Sequence, residues 1–190
     1  MATERYALKD IRIAFAPGLF KSADYQGDGK FKYKVKFILT PNHPQLKALE
    51  AIFQKLAKEE WKDKGAAVLK GLQNNSQKFC LIDGDNYPET EGMPGNMVLL
   101  ANNRTRPTVM AEDGVTQVAE GDGIVYSGAR VNALLEFRTM SDNKFGKGLF
   151  CTVRGVQKYK DADAFSGGPP PADISEFENL STESEDDPTA

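Results

Sequence analysis

A mainly β fold with one principal α-helix is predicted by three features of the 190-residue sequence. KFKYKVKF at 30–37 alternates strictly between lysine and apolar residues, the period of a strand with two unlike faces. Leu46, Leu49, Ile52, Phe53 and Leu56 recur at helical spacing. Two alternating segments, 129–139 and 148–159, flank SDNKFGK, a stretch suited to a hairpin loop.

Each element follows from local pattern. Residues 6–15 alternate loosely, with Ile11, Ile13 and Phe15 on one side and Asp10 and Arg12 on the other, and read as a strand. Residues 17–29, with Gly18, Gly27 and Gly29, read as a loop. In the next strand Phe31, Tyr33, Val35 and Phe37 share one face and Lys30, Lys32, Lys34 and Lys36 the other. The sequence leaves open whether the aromatic side is the core face or a binding face. Thr40-Pro41-Asn42-His43-Pro44 ends this strand and starts the helix, with Pro44 in its first turn and His43 in a capping role. Ala57 and Trp61 extend the apolar stripe to about residue 62, and Gly65 stops it. A shorter helical piece is expected at 66–72, and short strands at 78–82, 97–101 and 107–110. In the hairpin, Val131, Ala133, Leu135 and Phe137 face inward with Leu149, Cys151 and Val153. Arg130, Asn132 and Arg138 then face outward with Phe150, Thr152, Arg154, Val156 and Lys158.

Residues 1–165 are expected to form one folded domain. Beyond it, Gly167, Gly168 and Pro169-Pro170-Pro171 lead into mostly acidic or small residues. Such a segment buries too little apolar surface to offset its ordering entropy, so 166–190 is expected to be a disordered linker and acidic tail.

The net charge of −3 conceals an asymmetry. All 24 Lys and Arg precede residue 161, where they face 18 acids for a net of +6, and the remaining nine acids follow. A basic body with an acidic tail suggests a polyanion-binding domain. No apolar run approaches the roughly 20 residues that span a bilayer, and no membrane role is expected. The N-terminus lacks the basic-then-apolar pattern of a signal peptide. Cys80 and Cys151, each inside an apolar run, read as buried reduced thiols in a cytoplasm rather than a disulfide.

Catalytic chemistry finds little support. His43 is the only histidine, so any Ser-His-Asp or Cys-His arrangement would depend on it alone. One His and two distant Cys lack zinc-site spacing, and neither Gly29-Lys30 nor Gly146-Lys147 belongs to a phosphate-binding loop. Asp83 and Asp85 suit a turn better than a Mg²⁺ site. No cofactor or metal is implied, and no enzyme activity is expected.

Single-strand binding is better supplied, since it needs cations for phosphates and flat side chains for bases on an open sheet face. Lys30, Lys32, Lys34 and Lys36 repeat without an intervening acid, an odd choice for a merely solvated surface. An outward Phe150 beside Arg154 would make a stacking platform, unless a loop or a second subunit covers it. Lys144, Phe145 and Lys147 repeat the pairing of aromatic with cation in the hairpin loop. Arg104 and Arg106 form another basic cluster, and Arg130 shares the outer face. The long helix carries too many acids to enter a major groove.

The stretches VYSGARVNALLEF, NKFGKGLFCTVRGVQKYKDADAFSGG and NNRTRPTV together resemble tailed-phage single-stranded DNA-binding proteins. The resemblance spans most of residues 1–168 and is most specific over its last sixty or so. It implies an OB-type five-stranded barrel with added strands and a helix, acting on single-stranded DNA in phage replication and recombination in the host cytoplasm. It also places Arg104, Arg106, Tyr126, Arg130, Phe145, Lys147, Phe150 and Arg154 in segments lining the groove. Replication or recombination proteins are expected partners through the acidic tail, although SEDDPTA lacks the aromatic or apolar tip with which such tails often dock. Monomer and homodimer remain open. Two readings from other classes compete: a phage structural or adaptor protein whose barrel binds protein, and a Mg²⁺-dependent nuclease using Asp83 and Asp85.

Overall fold

The alternating and helical segments fold in the computed structural model as β1 (Thr3–Ala14), β2 (Tyr33–Leu39), α1 (Leu46–Trp61), α2 (Gly65–Leu72), β3 (Leu81–Asp83), β4 (Met97–Asn103), β5 (Thr108–Met110), β6 (Arg130–Asp142) and β7 (Gly146–Lys160). The structure describes residues 1–165 and Phe177, so the expected linker and acidic tail at 166–190 lie outside the described residues, Phe177 apart.

Five strands close on themselves. β1 pairs antiparallel with β2 and β6, β2 with β4, and β6 with β7. The ring is completed where β4 meets β7 in parallel, at Ala101 opposite Cys151 and Asn102 opposite Thr152. The result is the OB-type barrel the resemblance implies. β3 extends the sheet beside β4, and β5 runs parallel to β7. Val131, Ala133, Leu135, Phe137, Leu149, Cys151 and Val153 are buried in the barrel as alternation predicts, and the burial of Val35 and Phe37 makes the apolar side of β2 a core face. α1 lays Leu49, Ile52, Phe53, Leu56 and Ala57 on this core, with the Phe53 ring edge-on to Phe79 and Phe137.

Four local expectations are corrected. Phe15 does not share the core face of β1. It leaves the strand in the left-handed region (φ 59°, ψ 44°) with its side chain exposed, and Ala16 and Leu19 of the following 3₁₀ turn are buried in its place. This turn sits so close to β2 that a Cβ on Gly18 would fall 1.8 Å from the Lys34 carbonyl oxygen. Phe31 is exposed because regular pairing of β2 begins only at Tyr33. Val156 and Lys158 point inward, because a bulge leaves Arg154 as an extra residue between Val153 and Gly155 and reverses the faces beyond it. Gly65 opens α2 rather than stopping α1, which ends at Trp61 with Lys62 (φ 55°) as its C-cap, and its bare Cα allows contact with the backbone of Ala57.

A second bulge lies in β1 at Lys9 and Asp10, where Asp10 has φ 57°. The segment before α1 holds it, although α1 begins at Leu46 with Gln45 as N-cap, so Pro44 precedes its first turn and His43 does not cap it. Gln45 Oε1 accepts from Lys9 N at 2.7 Å, and His43 Nε2 lies 2.9 Å from the Lys9 carbonyl oxygen. His43 Nδ1 also accepts from Gln45 N at 3.2 Å, so the lone histidine serves the fold. On the outside of the barrel, Ala14, Ile38, Met93, Val98 and Phe165 form a small separate core. Phe165 N donates to the Ser127 carbonyl, and its ring stacks against Arg12, 4.1 Å from the guanidinium carbon.

Candidate nucleic-acid interface

The outer faces of β2, β4, β6 and β7 form the floor of a groove of about 1040 Å³, crossing the parallel β4–β7 seam. Alternation on β2 delivers Lys32, Lys34 and Lys36 to this side because Val35 and Phe37 are drawn into the core. Lys30 and Arg104 join from loops, and Arg138 from β6. No Asp or Glu among the described residues lines the groove. Burial pushes the Lys34 and Lys36 ammonium groups below the usual lysine range, and the charge of Lys32 on Lys34 and of Lys34 on Lys36 pushes further. An arriving anion relieves that like-charge repulsion.

Aromatic rings stand among these cations. Lys34 Nζ lies 4.3 Å from the Tyr25 ring centroid, and Lys36 Nζ 4.1 Å from that of Tyr87 and 5.0 Å from that of Phe15. At the other end, Phe145 and Phe150 have centroids 6.2 Å apart, with Lys78 Nζ 5.5 Å from Phe145 and Arg138 5.5 Å from Phe150. The loops bearing these rings are organised from within. Asp24 accepts from the backbone N–H groups of Gln26, Gly27, Asp28 and Gly29, which holds its carboxyl below the usual range and shapes the turn carrying Tyr25. Asp142 accepts from Phe145 N and Lys144 N at 2.7 Å each, with the same effect on its carboxyl, and fixes the hairpin tip. Gly148 leaves room for the Phe150 ring, which a Cβ there would meet at 2.6 Å.

The predicted residues divide. Lys30, Lys32, Lys34, Lys36, Arg104, Phe145 and Phe150 line the groove. Lys144 and Lys147 are exposed beside Phe145 in the hairpin, Arg106 lies 5.8 Å from the Phe20 ring, and Arg154 is exposed at the β7 bulge. Tyr126 and Arg130 do not line it. Arg130 donates to both carboxylate oxygens of Asp10, at 2.6 and 2.7 Å, bracing the β1 bulge. Tyr126 is hydrogen-bonded to Asp161 and to the backbone of Ala162 beside the buried Lys158. Phe15, Tyr25 and Tyr87 also line the groove, although local pattern groups Phe15 with Ile11 and Ile13 in β1 and singles out neither tyrosine. Their signal is an aromatic within a turn-rich segment, but where those loops fold back is a tertiary matter.

Asp83 and Asp85 are engaged as turn caps: Asp83 Oδ1 accepts from Asp85 N at 2.9 Å and Asp85 Oδ1 from Gly95 N at 2.8 Å. Among the described residues no cluster of three or more His, Cys, Asp or Glu is placed to hold a metal ion. Cys80 and Cys151 are unpaired and buried beneath the groove floor, where desolvation pushes both thiols up. Among the described residues no helix is long and apolar enough to cross a membrane.

The profile of the family described as "Enterobacter phage Enc34, ssDNA-binding protein" matches residues 5–189. The chain belongs to this Enc34 family. A relative from Acyrthosiphon pisum secondary endosymbiont phage 1, called putative protein p50, is 37% identical over 182 residues, covering 95% of this chain and 96% of its own. Among solved structures, the Enc34 single-stranded DNA-binding protein in complex with single-stranded DNA is similar with a TM-score of 0.68 at 20% identity, over 84% of this chain and 88% of that one. The gp2.5 single-stranded DNA-binding protein of bacteriophage T7 is similar with a TM-score of 0.56 at 13% identity, over 88% and 91%. At these identities the two structures speak for the fold, and the profile match for the family.

Proposed function

We propose that this Enc34-family member binds single-stranded DNA without regard to sequence during phage DNA replication, recombination or repair, in the host cytoplasm. The observation that carries the proposal is the groove, with six cations, exposed rings at both ends and no carboxylate among its described lining residues. The cations neutralise phosphates and release counterions, while rings stack bases, an interaction every base accepts. The strand contacts Lys30, Lys32, Lys34, Lys36, Arg104, Arg138, Phe145 and Phe150, with Lys144, Lys147, Arg106 and Arg154 extending the positive field at its ends. The protein acts by binding alone, without catalysis, cofactor or metal.

Residues 1–165 serve as the binding domain, and 166–190 as linker and acidic tail. That tail competes with DNA for the groove and offers a contact for replication or recombination proteins. Supporting this, Phe165 packs in a small core that Tyr87 and Leu100 join, and both of these also line the groove, so the tail is rooted at its edge.

Fluorescence anisotropy with a labelled dT oligonucleotide and its duplex counterpart, across salt, tests the reading. Neutralising some four phosphates predicts a log–log salt slope of about −3 for the single strand. A slope near zero, or no binding at low salt, would sink it.

A further inference from the structure

Phe15 combines three properties that rarely coincide. It is a bulky aromatic in the left-handed region (φ 59°, ψ 44°), a conformation unfavourable for such residues. Its side chain is half exposed, at 51%, rather than repaid by burial. It also stands at the groove wall and shares a lysine with a second ring, because Lys36 Nζ lies 5.0 Å from the Phe15 centroid and 4.1 Å from that of Tyr87. An outlier that packing does not repay points to use elsewhere.

The spacing suggests that use. With Nζ at those two distances, the ring centroids lie at most about 9 Å apart. One further flat ring stacked between them, about 4.5 Å from each, needs close to that full separation with the two ring faces opposed across Lys36 Nζ. Lys36 Nζ lies over both rings, partly desolvated and repelled by Lys34. A lysine has a flexible stem and strong affinity for phosphate oxygens, so it is a displaceable occupant.

We propose that Phe15 and Tyr87 form a base clamp: one nucleobase enters between the two rings and displaces the Lys36 ammonium, which moves to an adjacent phosphate. The left-handed backbone at Phe15 is the device that turns its ring out of the β1 core face and into the clamp. Tyr87 is positioned by the 3₁₀ turn Gly84–Asn86 before it and by the small core of Ala14, Ile38, Met93, Val98 and Phe165 against which it packs. The inference rests on the proposed single-strand binding and adds a base-stacking subsite at the end of the groove away from Phe145.

The test uses the full chain, a dT oligonucleotide and an abasic oligonucleotide of equal length, read by anisotropy across salt. Phe15→Gly removes the ring and relaxes the backbone, since glycine enters the left-handed region freely. Tyr87→Leu removes the aromatic face and keeps apolar contact with the small core. Each variant is expected to bind dT about 5- to 150-fold more weakly, as loss of one stacked base implies. Each should bind the abasic strand as the wild type does and keep the wild-type salt slope. Phe15→Gly should melt no lower than wild type. If wild type binds dT tightly while both variants match it on dT, the clamp is overturned. Equal weakening on both oligonucleotides also overturns it, because a clamp acts on bases. Failure of the wild-type protein to bind dT at low salt overturns the functional reading itself, and the clamp with it.

Discussion

Two sides of the same barrel use lysine and arginine in opposite ways. Around β1, β6 and α1, cations meet carboxylates: Arg130 with Asp10, Arg5 with Glu136 and Lys55 with Glu4. Near the end of β7, the buried Lys158 meets Asp161 and the Ile124 carbonyl. On the groove side, Lys34, Lys36 and Arg138 meet rings, and Lys32, Lys34 and Lys36 repel one another along β2. Among the described residues only Lys30 of the groove cations has a carboxylate partner, Asp28 at 3.7 Å. On the first side a cation braces a bulge or a strand end and its charge is already answered. On the second its charge is left for a ligand. The sign of the charge does not separate a structural cation from a functional one; its partner does.

The largest effect is expected from reversing charge on the groove side. Lys34→Glu with Lys36→Glu places two acids among the remaining cations and should weaken dT binding by about 100-fold or more at low salt, with the far-ultraviolet spectrum unchanged. Binding within a few-fold of wild type would break the comparison. Next come the rings at the far end, where Phe150→Ala and Phe145→Ala should each cost about 1–3 kcal/mol of binding while leaving the salt slope as it was. A slope that fell instead would mean these rings act by holding cations. Removing residues after Gly168 should tighten binding several-fold at low salt and hardly at all at high salt, since the competition is electrostatic. Smallest is the control on the structural side. Arg130→Ala should leave dT affinity within about twofold and lower stability by about 1 kcal/mol or less, because the pair with Asp10 is partly exposed and screened. That difference is readable by denaturant titration beside the binding curve.

The parts of this molecule legible in the sequence are those written in local period. KFKYKVKF yields both the Val35 and Phe37 core contacts and the lysine stripe, because the alternation that buries one side exposes the other. The Leu46–Trp61 stripe and the β6–β7 hairpin are legible for the same reason. Reading by period fails wherever one residue shifts phase. The bulge at Arg154 turns Val156 and Lys158 inward, and the left-handed Phe15 ends an alternation that otherwise continues through it. The β4–β7 seam rests on two parallel residue pairs and has no local signature, although it places Phe150 on the same groove floor as the β2 lysines, across β4. Tyr25 and Tyr87 sit in turn-rich loops whose destinations depend on that closure, which is why much of the aromatic lining is illegible in the sequence while the β2 lysines are plain.

The division between the two sides is tested most directly by comparing salt slopes of single-strand binding for two sets of neutralised variants. One carries Lys32→Gln, Lys34→Gln and Lys36→Gln, and the other Arg5→Gln and Arg130→Gln. With three phosphates no longer neutralised, the first slope should become shallower by about 2, at roughly 0.7 per phosphate on a single strand, while the second slope stays with the wild type. Equal slopes for all three proteins, or a change confined to the Arg5 and Arg130 set, would contradict the assignment of the groove as the DNA-binding face.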